Sequence, residues 1–154
     1  MLITSEKYSE EGKVKSAPKE QIKCRILVIE DEEELRELFS DMLTFNGYEV
    51  ETASDGHRGI ELFKHAEFDI VFTDLRMPEM SGWEVAENIK KIRQETPVAL
   101  ITGWEVKQKD SELKASGVDL VVKKPFRVNE VLQLVQEWMK AIEEKEGASL
   151  KASR

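Results

Sequence analysis

Five short apolar runs, each rich in β-branched residues and followed by a longer stretch of helical apolar spacing, leave few folds open to this sequence. The runs are Arg25 to Ile29 (RILVI), Tyr48 to Ala53 (YEVETA), Asp69 to Thr73 (DIVFT), Val98 to Thr102 (VALIT) and Val118 to Lys123 (VDLVVK). Runs of this length read as strands, and their near-continuous hydrophobicity implies cover on both faces. Parallel strands need crossover connections, and each crossover helix needs a sheet face on which to bury its apolar stripe. An open, doubly wound α/β fold follows, with a five-stranded parallel sheet expected in the order 2-1-3-4-5. In that order the winding reverses between the first and third strands, and ligands bind there, outside the carboxyl ends of the strands.

The stretches between the runs carry helix signals of unequal strength. Leu35, Leu38, Phe39, Met42 and Leu43 form one apolar stripe that stops at Asn46-Gly47. Ser81 to Glu84 (SGWE) has the form of a capping box, with Val85, Ile89 and Ile92 as the buried face before Pro97 opens the next strand. Val128, Val131, Leu132, Val135, Trp138, Met139 and Ile142 hold the helical period over four turns. The second helix, Gly56 to Ala66, is weaker. The fourth, expected over Glu105 to Ser116, has only Val106 and Leu113 to bury and should be loosely attached. Trp83 and Trp138 fit packing roles, and His57 and His65 fall far from the strand ends.

Residues 1–22 mix four Glu and four Lys with Ser, Gly and Pro and lack an apolar period, so they read as a flexible tail or linker. Gly147 is suited to stopping the last helix, which makes 147–154 a second flexible tail and 23–146 the folded unit. At 154 residues one domain is expected. The 23 basic and 31 acidic residues give a net charge of −8, which repels a phosphate backbone and argues against direct nucleic-acid binding. No apolar run approaches the length of a membrane span and no secretory h-region opens the chain, so no membrane insertion and a cytoplasmic location are expected. Cys24 is the single cysteine, which excludes an internal disulfide and suits a small core side chain.

Chemistry concentrates at the strand ends. The first strand runs into Glu30-Asp31-Glu32-Glu33-Glu34, the third into Asp74, the fourth into Thr102-Gly103 and the fifth into Lys123-Lys124-Pro125. Taken singly each piece has a plain account: acidic residues favour a helix N-terminus, and Lys-Pro suits a turn. Together, Glu30, Asp31 and Asp74 converge at the switch point, where carboxylates repel unless a cation neutralises them. Oxygen ligands without His or Cys point to Mg²⁺. A lysine, a hydroxyl and the open amide of Gly103 on the far side of the crevice suit the oxygens of a phosphoryl group.

The segments LVIEDEEE, DIVFTDLRMPEMSGWE, PVALITG and VVKKPF, with their spacings, resemble the receiver domain of two-component response regulators, either the chemotaxis-type single-domain receiver or the receiver of a hybrid histidine kinase. The resemblance runs from about Ile22 to Glu146 and implies a flavodoxin-like (βα)5 fold. It implies that Asp74 is the phosphoacceptor, Thr102 the switch hydroxyl and Lys124 the lysine before the proline turn at Pro125, with Lys123 facing solvent. It also implies Mg²⁺ held directly by Asp31, Asp74 and the main-chain carbonyl of Arg76, and through water by Glu30. The implied phosphodonor is a phosphohistidine on a histidine kinase or histidine phosphotransfer protein.

Two positions depart from the family pattern. Val121 stands where an aromatic residue is usual, three before the lysine, and Arg127 stands where a side-chain cap for the last helix is expected. Trp104 and Arg76, each two residues beyond a site residue, are placed to overhang the phosphoryl group. Two rivals remain at this point: a phosphorylation-independent interaction module on the same fold, and a phosphatase of the haloacid dehalogenase type. The second needs an acid two residues after the nucleophile, where Arg76 stands. Output is expected through a downstream protein target on the face of the fourth helix, fifth strand and fifth helix, which is also a candidate homodimer surface.

Overall fold

Each apolar run becomes a strand because alternate side chains enter two separate cores. The computed structural model describes residues 24–152. Its elements are β1 (Arg25–Ile29), α1 (Glu33–Phe45), β2 (Glu49–Ala53), α2 (Gly56–His65), β3 (Ile70–Asp74), α3 (Gly82–Ile92), β4 (Val98–Thr102), α4 (Asp110–Ala115), β5 (Leu120–Lys123) and α5 (Val128–Ala152). Ile26, Val28, Ile70, Phe72, Ala99 and Ile101 face one layer, where Phe39 and Met42 of α1 and Val131, Val135 and Met139 of α5 meet them. Leu27, Ile29, Val71, Val98 and Leu100 face the other, against Phe63 of α2, Val85 and Ile89 of α3 and Leu113 of α4. Full burial of such a side chain stabilises by about 1.5–3 kcal/mol, so this sheet is the main source of stability.

All strand pairs are parallel, in the order β2-β1-β3-β4-β5. Ile26 pairs with Val50 on one side and Ile70 on the other, so β1 is flanked and the ends of β1 and β3 lie side by side. This is the expected fold.

Several boundaries shift for identifiable reasons. Asp69 and Asp119, expected inside strands, precede them. Asp69 Oδ2 accepts the Arg25 N–H at 2.9 Å, and Asp119 Oδ2 accepts the Val98 N–H at 2.8 Å and an Nζ–H of Lys90 at 2.7 Å. Each carboxylate thereby closes the amino end of a neighbouring strand. The helix expected from Glu105 begins only at Asp110, and residues 105–109 take no regular structure, because two apolar side chains give that segment little to bury. Leu38 and Ile92, counted in the apolar stripes, are exposed, since Phe39, Met42 and Leu43, and Val85 and Ile89, already fill the faces in contact with the sheet.

The last helix does not stop at Gly147 but continues to Ala152, so the tail expected from 147 is helical that far. Gly147 lacks the positive φ that ends a helix, unlike Gly47 (φ 94°), which follows α1 as expected. A glycine in a helix interior costs about 1 kcal/mol but does not break it. The missing side-chain cap at Arg127 is compensated from the other direction: the Glu130 carboxylate accepts the Arg127 N–H at 2.9 Å. The segment 1–22 expected to be a tail lies outside the described residues. Among the described residues no helix is long and apolar enough to cross a membrane.

Candidate functional site

Parallel pairing brings the carboxyl ends of β1, β3, β4 and β5 to one rim. Glu30 follows β1 and is fully buried, its N–H donating to Ala53 O at 3.0 Å and its Oε2 accepting the Glu32 N–H at 3.1 Å. Arg36, one turn into α1, donates to the Glu30 carbonyl at 2.9 Å and so fixes the turn that presents Asp31 to solvent. Asp74 closes β3 and is 7% exposed, with its carbonyl accepting the Thr73 hydroxyl at 3.0 Å. Beyond it, Gly82 N–H donates to Leu75 O at 2.8 Å, docking the capped N-terminus of α3 against the strand end.

From the opposite wall, Lys124 N–H donates to Thr102 O at 2.8 Å, extending the β4–β5 pairing and aiming the lysine inward. Its Nζ donates to Asp74 Oδ1 at 3.2 Å and lies 3.8 Å from Glu30 Oε1. The Lys124–Pro125 peptide bond is cis, and Lys123 is exposed as expected. Thr102 is buried, and its Oγ1 accepts the Trp104 N–H at 2.9 Å. An ideal Cβ at Gly103 would meet only Lys124 Cβ, at 3.9 Å, so the main chain there is uncrowded.

The electrostatics are unbalanced. Glu30, Asp31 and Asp74 offer carboxylate oxygens all within 4.8 Å of one another, and among the described residues Lys124 is the cation bonded to them. Burial is the main cause that pushes the Glu30 carboxyl up to about 7, and the Asp74 charge adds to it against the Glu32 amide and Lys124. Burial likewise raises the Asp74 carboxyl, opposed by Lys124. Glu30 Oε1 is buried with no hydrogen-bond partner among the described residues, and 3.8 Å to Lys124 is too long for one. An orphaned buried carboxylate oxygen beside two more carboxylates is a donor set that fits a hard divalent cation.

Sequence reasoning placed Glu30, Asp31, Asp74, Thr102 and Lys124 on this rim, and the structure brings them together. Arg76 and Trp104, read separately as overhanging the site, form a pair: the Arg76 guanidinium stacks 4.1 Å from the centre of the Trp104 ring. Arg36 carries no motif and was not anticipated. Trp83 and Trp138 pack against the two cores, Cys24 is buried, and His65 bonds Glu61 on α2, away from the rim.

Comparison with known proteins agrees with this geometry. The model of the response regulator receiver domain family matches residues 26–136. The regulatory protein AtoC of Escherichia coli is 34% identical over 113 residues, covering 73% of this chain and 24% of AtoC. The response regulator MprA of Mycolicibacterium vanbaalenii is 32% identical over 130 residues, covering 84% of this chain and 56% of MprA. The chain therefore spans between a quarter and just over half of these relatives. The solved structure of the response regulator TrrA from Thermotoga maritima, in complex with Mg²⁺ and BeF, superposes with a TM-score of 0.67 at 34% identity, over 75% of this chain and 98% of that one. With the fold, the rim and the family model in agreement, this chain belongs to the response regulator receiver domain family of two-component signalling.

Proposed function

We propose that the chain accepts a phosphoryl group on Asp74 from a phosphohistidine of a histidine kinase or histidine phosphotransfer protein. The observation that carries this reading is the Asp74 carboxylate at the end of β3, bonded to Lys124 at 3.2 Å and clustered with Glu30 and Asp31. The Asp74 oxygen not held by Lys124 attacks phosphorus. A P–O bond forms as the P–N bond breaks, and the bonding pair leaves with the imidazole nitrogen, which takes up a proton. Lys124 holds a phosphoryl oxygen and compensates the added charge, and the Thr102 hydroxyl donates to another. Asp31, Asp74 and the Arg76 carbonyl would hold Mg²⁺, with Glu30 acting through water. When bound, the cation neutralises the carboxylates and polarises the phosphoryl oxygens.

The chain acts as a regulatory acceptor and not as a turnover phosphatase, because Arg76 occupies the place where a second acid would be needed. Output passes to a downstream protein target through α4, β5 and α5, a face that also offers a surface for a second copy. A cytoplasmic setting and an output without direct nucleic-acid contact complete the reading.

Incubation with phosphoramidate, whose P–N bond stands in for phosphohistidine, tests it. With Mg²⁺ the chain is expected to gain the mass of one phosphoryl group, and Lys124→Ala is expected to gain far less in the same time. Gain by neither would sink the proposal. Calorimetric titration separates the metal roles. Asp31→Ala is expected to weaken Mg²⁺ binding more than Glu30→Ala, whose water-mediated role is worth about 10- to 100-fold. Equal affinities in Asp31→Ala and the wild type would contradict direct ligation.

A further inference from the structure

Trp104 is joined to the site by two independent ties. Its main-chain N–H donates to the Thr102 hydroxyl at 2.9 Å, and its indole lies under the Arg76 guanidinium at 4.1 Å. The residue is nonetheless 58% exposed. Trp104 also borders a hollow of about 280 Å³, lined besides by Val106, Leu113, Val121 and Lys123 among others. The hollow exists for two reasons visible in the chain. Residues 105–109 are not helical, so α4 covers only part of β5, and the β5 side chain on that face is the small Val121. A cavity of roughly 150 Å³ accepts a benzene ring, so this one has room for an indole.

We propose that Trp104 transmits occupancy of the Asp74 site to the α4–β5 surface by moving its indole from Arg76 into the hollow over Val121; this rests on the phosphoacceptor reading above. A phosphoryl group on Asp74 acts on both ties. Thr102 Oγ1 is displaced when it donates to a phosphoryl oxygen, and the Trp104 main chain either follows it or loses its acceptor. Arg76 lies two residues from Asp74, and its fork binds phosphoryl oxygens more strongly than an exposed ring face. With Arg76 drawn away, the exposed indole loses its partner, and burial against Val121, Val106 and Leu113 is then its favourable course. The segment 105–109 moves with it, which changes the surface beside α4.

Incorporation of 5-fluorotryptophan into the whole chain and ¹⁹F NMR test this. Three resonances are expected, and Trp104→Phe identifies the one from Trp104 by its disappearance. On phosphorylation, scored separately by mass, that resonance is expected to shift and to lose its solvent isotope shift, while the resonance of Trp138 stays in place. Val121→Phe fills the hollow and is expected to leave the chain phosphorylated with the Trp104 resonance still solvent-sensitive. Arg76→Ala is expected to move the resonance toward its phosphorylated position before any phosphodonor is added. A full mass gain with an unchanged Trp104 resonance overturns the proposal and leaves the phosphoacceptor reading standing, whereas absence of any mass gain overturns both.

Discussion

Replacing Gly82 with alanine is expected to destabilise the chain by about 3 kcal/mol, the upper end of the usual cost of overpacking, and to impair phosphorylation with it. A Cβ at this position would lie 2.4 Å from the carbonyl oxygen of Asp74, 2.6 Å from Leu100 Cδ1 and 3.0 Å from Leu75 Cα. Two of these three atoms belong to the main chain that carries the acceptor carboxylate. Relief therefore requires α3 to back away or the Asp74 peptide to turn, and the first breaks the 2.8 Å hydrogen bond from Gly82 N–H to Leu75 O. Gly103→Ala is the control, because its Cβ would meet only one atom, at 3.9 Å, and its expected change is within about 0.5 kcal/mol. Urea unfolding followed by circular dichroism measures both. A Gly82→Ala chain as stable as the wild type would contradict the packing of α3 on the strand end.

The second large effect is a dependence of stability on pH that runs opposite to that of a salt-bridged carboxylate. Glu30 titrates near 7 in the folded chain against an ordinary value of 4.5, so between these values the folded state binds more protons than the unfolded state. Stability therefore falls as pH rises through that window, and the penalty is complete above the folded value. At 1.36 kcal/mol per unit the metal-free chain is expected to lose about 3 kcal/mol between roughly pH 5 and pH 8. Burial raises the Asp74 carboxyl too, which adds in the same direction. Glu30→Gln is expected to flatten the profile and to be the more stable chain at the alkaline end. Mg²⁺ is expected to stabilise more at that end, because its ligands must be deprotonated. Metal-free unfolding across the range checks this, and an equal slope in Glu30→Gln would refute it.

The sheet was readable from the sequence because the three inner strands β1, β3 and β4 bury both faces, which leaves near-continuous apolar runs; β1 and β4 match their runs residue for residue, while the edge strands β2 and β5 are partly exposed. The rim was readable because Glu30, Asp31, Asp74, Thr102 and Lys124 each end such a run or lie within two residues of its end. What escaped has no local signal. The stack of Arg76 on Trp104 joins two loops 28 positions apart, and Arg36 reaches back to a main-chain carbonyl, an acceptor that every residue carries. The short α4 reflects competition: helical spacing over Glu105 to Ser116 was too poor in apolar residues to offset ordering, so only Asp110–Ala115 formed. The extension of α5 past Gly147 shows the reverse, a glycine tolerated because nothing there calls for a positive φ. A signal for the α5 cap did exist, since Glu130 stands three residues after Arg127, the spacing of a capping box read from its second member.

Asp74 alone is expected to carry the phosphoryl group, and residue-level mapping of the acyl phosphate decides this. The chain is incubated with phosphoramidate and Mg²⁺, reduced with borohydride, which converts an aspartyl phosphate to homoserine, and digested for peptide mass analysis. Homoserine at position 74 and nowhere else, with no mass gain in Asp74→Asn, is the expected result. Homoserine at Asp31 or another position in the wild type, or a full mass gain that persists in Asp74→Asn, would contradict it.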